Sequence, residues 1–195
     1  MNPEDILLHQ PGFFPEEDPN LYGQFVEVIK TQMPRTTQGT AVALRFINAS
    51  SGYRYTAGFT SDPGFIEFKS FPGQAIMFGT ASSGEGLVFI FSEMKPGHYD
   101  CAKDDFDIEF APAGVKGTDP SANWAQNDGG SCEIEIYEGT NPGDIQGTLT
   151  GKVVSNDRAT LFTIEQGYFY ARNPFVAKRD PNTPHGKHGK ADVKP

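Results

Sequence analysis

The chain has 195 residues, a net charge of −9 and a hydrophobic share of 37%, with 16 Phe and 7 Tyr supplying much of the apolar area. That length suits one domain of ordinary size and can bury a core without a structural metal or a set of disulfides. The negative balance repels nucleic acid and anionic membranes. No basic stripe with interleaved aromatics appears, and no segment approaches the roughly 20 apolar residues that span a bilayer.

Residues 1–22 carry Pro3, Pro11, Pro15 and Pro19 together with Glu16-Glu17-Asp18. Four prolines oppose a long helix, so the segment reads as an extended arm. Ile6-Leu7-Leu8 and Phe13-Phe14 would dock it on its own domain or on a partner. Met1-Asn2-Pro3-Glu4-Asp5 has no basic n-region and no apolar h-region, so it does not read as a signal peptide. Cytoplasmic residence, leaderless export and a processed leader stay open, a cell-surface or extracellular site among them.

Residues 23–172 read as the folded domain. Phe25-Val26-Glu27-Val28-Ile29-Lys30 is expected to be the first strand. Ala41–Phe46, Tyr53–Thr56 with Phe59, Phe65–Phe68, Ala75–Phe78 and Leu87–Phe91 follow. Ser51-Gly52, Asp62-Pro63-Gly64, Pro72-Gly73, Ser83-Gly84-Glu85-Gly86 and Lys95-Pro96-Gly97 separate them as turns. Phe106–Phe110 and Cys132–Ile136 alternate strictly, apolar on one face and acidic on the other. Ile145–Val154 and Ala159–Ile164 form an expected hairpin around Asn156-Asp157, and Gly167–Arg172 closes the domain. Many short strands with turns roughly every 8–12 residues indicate an all-β, antiparallel two-sheet β-sandwich, jelly-roll-like or Ig-like. Residues 173–195 form a basic Pro/Gly-rich tail with Lys178, Arg179, Lys187, Lys190 and Lys194, read as flexible or extended.

Few residues invite chemistry. Asp105, Asp107 and Glu109 project from one strand face, where calcium would relieve their repulsion; the competing reading is an acidic face turned to water. Asn127-Asp128-Gly129-Gly130 reads first as a turn. His185-Gly186-Lys187-His188 lacks the fixed backbone that a metal site needs. Cys101 and Cys132, each at a strand edge, form either one disulfide closing a loop of about 30 residues or two separate buried thiols. His98 lies near Cys101, but residues three apart on a strand face opposite ways. Trp124, Tyr168 and Tyr170 would offer an aromatic platform to a sugar or a peptide. Core packing competes for both tyrosines. Motifs of serine hydrolases, nucleotide loops and zinc peptidases are missing from the sequence.

Gly97-His98-Tyr99, Gly147-Thr148-Leu149-Thr150-Gly151 and Gly167-Tyr168-Phe169 together resemble a group of bacterial β-sandwich domains of uncharacterised function, often found in surface lipoproteins. The resemblance covers residues 97–172. It implies the sandwich fold and carries over no catalytic residue. The chain departs from the group in its proline-rich arm and basic tail, and in having no leader with an acylated cysteine.

These features favour a non-enzymatic binding or structural module, acting through a protein partner or a second copy in a surface or multi-subunit assembly. A carbohydrate-binding or carbohydrate-active sandwich is one alternative. An acidic inhibitor or immunity-type protein is another, since acidic proteins neutralise basic partners. No cofactor is expected beyond calcium.

Overall fold

The structure is a computed structural model. It describes residues 2–9, 12–15, 17–35, 39–49, 51–61, 65–68, 73–80, 85–91, 95–104, 106–111, 124–125, 130–155 and 161–172. The strands within 65–91, and all of those within 106–125 save Ile108, are described by backbone and register alone.

The chain is mostly β and antiparallel, with few helices. Its strands are β1 (Gly12–Pro15), β2 (Thr40–Asn48), β3 (Arg54–Ser61), β4 (Phe65–Phe68), β5 (Gly73–Thr80), β6 (Glu85–Phe91), β7 (Gly97–Asp100), β8 (Phe106–Ala111), β9 (Trp124–Ala125), β10 (Ser131–Glu138), β11 (Ile145–Ser155) and β12 (Leu161–Ala171). Pairing runs β1-β3-β2-β12-β11 and then divides. β10 pairs with β11 along Ile145–Lys152 and carries β7 at the edge. β9 pairs with the far end of β11 and leads through β8, β6 and β5 to β4. β5 returns to touch β3 and β2. Pairing links all these strands, so a separate second sheet is not seen among the described residues.

The alternation read from the sequence sets the faces. Val42, Leu44 and Phe46 of β2, Tyr55, Ala57 and Phe59 of β3, and Cys132, Ile134 and Ile136 of β10 point into one buried cluster. Glu133 and Glu135 lie on the opposite face of β10, beside Asp100 and His98 of β7. β12 carries one extra residue. Ile164 pairs with Phe46, but Gln166 pairs with Arg45, so a bulge lies between. The bulge shifts the parity: Phe162 and Ile164 enter the cluster before it, Phe169 and Ala171 after it.

Residues 25–30 are not a strand, because α2 spans Leu21–Gln32 and a 3₁₀ turn, Met33–Arg35, continues it. Phe25, Ile29 and Met33 are fully buried while Glu27 and Thr31 between them are exposed; a strand would put all five on one face, and a helix separates them. The β-branched Val26, Val28 and Ile29 mimic a strand. The stretches 159–164 and 167–172 are not two strands either; within the described residues β12 runs on through its bulge.

The segment 1–22 is built into the domain. α1 (Pro3–His9) starts at a proline, where a first-turn N–H has no helical partner to lose. β1 extends the sheet by pairing with β3. Together α1, α2 and the 3₁₀ turn cover the second face of β3, β2 and β12 through Ile6, Leu7, Phe25, Ile29 and Met33. The sheet accepts them closely because it is small there: Ala41, Ala43 and Gly58. A Cβ on Gly58 would stand 2.8 Å from both Leu7 Cδ1 and Phe25 Cε2. Residues 173–195 lie outside the described residues.

Candidate functional site

Where the helical layer stops short of the sheet, a recess of about 690 Å³ opens. Its walls come from the start of α1 (Asn2, Glu4), from the first turns of α2 (Asn20, Tyr22, Gly23, Gln24, Glu27) and from Arg45 and Gln166 on the sheet. It is a shallow, open depression rather than an enclosed cavity.

Each wall has a local cause. Pro19 and Asn20 turn the chain into α2, and Asp18 Oδ1 accepts the Asn20 N–H at 2.8 Å. Asn20 makes no side-chain cap to the helix. The bulge of β12 brings Gln166 opposite Arg45 on the recess side. Bulges commonly re-aim a side chain beside a functional site. Arg45 Nε lies 3.9 Å from Glu165 Oε2, and Arg54 Nε lies 3.4 Å from the same oxygen. Burial, and then the neighbouring Tyr168, push the Tyr22 phenol up to about 12. It is therefore a protonated donor at any physiological pH.

The recess unites polar groups of both hydrogen-bonding senses with apolar wall from Pro3, Pro19, Val28 and the Tyr22 ring. Its described lining residues include the carboxylates of Glu4 and Glu27 and no histidine, cysteine or serine.

The residues singled out from the sequence go elsewhere. Tyr168 and Tyr170 do share a face, and α2 and the 3₁₀ turn cover it. Tyr170 is fully buried and Tyr168 is 7% exposed, so neither ring is open as a platform. Tyr170 Oη donates to Asp144 Oδ2, and Asn141 Nδ2 donates to the same carboxylate at 3.0 Å and to the carbonyl of Pro34 at 3.1 Å. Arg172 donates to that carbonyl at 3.3 Å. This polar knot ties the turn before β11 to the end of the helical layer. Burial first, then Asp144, push the Tyr170 phenol well above its ordinary value. Tyr168 Oη donates to Gln146 at 2.6 Å, and Lys30 Nζ sits 5.1 Å over its ring.

Trp124 forms β9 with Ala125, and its backbone pairs with Phe110 and Ser155; its side chain lies outside the described residues. Asp105 also lies outside them. Asp107 and Glu109 pair in β8 with Ile90 and Val88, and their side chains are likewise not described. Among the described residues no group of three or more His, Cys, Asp or Glu is placed to hold a metal. His185 and His188 are outside them.

Cys101 and Cys132 are joined in a disulfide, their Cα atoms 5.1 Å apart. The bond staples a short turn onto β10. Within that turn Asp100 accepts the Ala102 N–H, Asp104 accepts the Asp100 N–H, and Lys103 pairs with Asp100. The hydrogen bond from Lys103 and then that from Ala102 hold the Asp100 carboxyl below its usual value. His98 points away from the cystine to Glu135, Nδ1 to Oε2 3.3 Å, on the exposed face.

The sequence gives no reason to group the recess residues, because 25–30 carry the β-branched look of a strand. The four-residue spacing of Leu21, Phe25, Ile29 and Met33 was the signal that could have found the helix. No helix among the described residues is long and apolar enough to cross a membrane. Comparison with protein-family models, curated proteins and solved structures finds no match to this chain.

Proposed function

We propose that the chain is a non-enzymatic binding module on a two-layer β-sandwich scaffold, and that the recess between the helical layer and the sheet holds its ligand. One observation carries the reading: polar residues of α1, α2, β2 and β12 line one recess whose described lining holds no histidine, cysteine or serine. The return of β5 across β3 and β2 supports the sandwich. The tied cystine supports service in an oxidising compartment, where such bonds persist. That setting agrees with the resemblance of residues 97–172 to domains of bacterial surface proteins.

The test uses the full chain and a recess-blocking variant, Gly23→Gln, in saturation-transfer NMR against a mixed library of small polar compounds and short peptides. Compounds bound by the wild-type chain and lost in the variant support the reading. If every compound treats the two proteins alike, the recess is not the binding site.

A further inference from the structure

The chemistry of the recess narrows its ligand. Glu4 and Glu27 stand in its wall, against a chain of net charge −9, so an anionic ligand is opposed. Arg45 stands there too, which disfavours a cation. What remains satisfied is a neutral ligand that both donates and accepts. Gln24 and Gln166 each carry a carbonyl and an amide, Glu27 a carboxylate acceptor, and Tyr22 a ring with a protonated phenol. Vicinal hydroxyls complement this set, and the apolar wall suits the C–H face of a pyranose.

Gly23 is an independent pointer. It sits in the first turns of α2, where glycine is a poor helix former. The protein's own packing does not ask for it: nothing lies within 4 Å of a Cβ built there. Its bare surface lines the recess, where a side chain would narrow the mouth.

We infer that the recess binds a neutral saccharide, held by Gln24, Glu27, Gln166 and Tyr22 around the opening that Gly23 keeps clear. This rests on the recess being the binding site.

The experiment titrates the full chain calorimetrically with three probe sets. The first is neutral mono- to tetrasaccharides of glucose, galactose, mannose, xylose and N-acetylglucosamine. The second is uronic-acid oligosaccharides, and the third is lysine-rich peptides. The proteins are wild type, Gly23→Gln, Gln166→Ala and, as a control remote from the recess, Tyr137→Ala. The expected result is binding of a neutral saccharide by wild type and Tyr137→Ala, weakened about tenfold or more by Gln166→Ala and abolished by Gly23→Gln. Thermal midpoints not lower than wild type show that the variants fold. Recess-dependent binding of only a uronic-acid sugar or a basic peptide overturns the saccharide class and leaves the site standing. Absence of any Gly23→Gln-sensitive binding overturns both.

Discussion

On one face of β2, β3 and β12 the sheet itself supplies the bulk: Phe46, Phe59, Phe162 and Phe169 are all buried in a single cluster. On the other face β2 and β3 offer only Ala41, Ala43 and Gly58, β12 offers Tyr168 and Tyr170, and the rest of the bulk comes from Leu7, Phe25, Ile29 and Met33 of the helical layer. The first face is closed by side chains that the sheet fixes directly. The second depends on how far α1 and α2 extend over it, and the recess opens where they stop. Over the small residues of β2 and β3 the layer can end without leaving large apolar groups in water, which the aromatic face could not do.

The contrast breaks most sharply at Phe46. Its ring lies 5.4 Å from those of Tyr55 and Phe162 and 5.7 Å from that of Phe13. Phe46→Ala is expected to lower stability by about 3–5 kcal/mol in urea unfolding. A loss under about 1 kcal/mol would mean that this face is not the main core. The cystine supports the same face, since both sulfur-bearing residues belong to the aromatic cluster. Replacing Cys101 and Cys132 together by Ala should cost about 2–4 kcal/mol. Equal midpoints for the two proteins would show that the bond does not constrain the unfolded chain.

Gly58→Val tests the second face alone. The new methyl groups meet Leu7 and Phe25, and overpacking of this kind costs about 1–3 kcal/mol. Amide exchange should quicken through α2 while the pairing of β10 with β11 stays protected. Uniform quickening would show that the two faces open as one unit.

Alkali separates the faces by another route. Tyr22 and Tyr168 are pushed up to about 12 by burial, and Tyr170 is raised as well; all three belong to the helical side. Tyr55 alone of the raised phenols lies on the aromatic side. A phenol whose folded pKa exceeds its unfolded value near 10 binds its proton more firmly when folded. Its contribution is whole below pH 10 and is lost as pH rises toward 12. Helix ellipticity should therefore fall over that window together with phenolate absorbance. Tyr170→Phe should flatten the fall, and at neutral pH should cost about 1–2 kcal/mol by leaving Asp144 without its phenol donor. Phenolate forming while the helices persist would contradict this coupling.

How legible these regions were follows from the same contrast. The strands follow a two-residue period, so residues 41–46, 65–68, 106–110 and 132–136 fall within β2, β4, β8 and β10. The helical face depends on a four-residue period carried by β-branched residues, where propensity argues for strand and spacing for helix; spacing prevails because the small side of the sheet has to be covered. The extra residue of β12 was beyond reach, since Glu165-Gln166-Gly167 carries no local mark of a bulge. With α2 and the bulge unread, Tyr22, Gly23, Glu27, Arg45 and Gln166 had no reason to be brought together, and the recess could not be assembled from the sequence.

The smallest expected effect is the most discriminating. Gly23→Ala adds one methyl group to an exposed helical position with open space around it. If α2 were only a cover for the sheet, that change should be favourable throughout: about 0.5–1 kcal/mol of added stability from helix propensity and a less flexible unfolded chain. A binding recess predicts a divided outcome, with the same gain in thermal midpoint and weaker ligand binding. Gly23→Gln should enlarge the second effect far more than the first, because its Cβ gains the same propensity while its amide reaches across the mouth. A stability gain with binding untouched would assign the glycine to chance and leave the recess without its best argument.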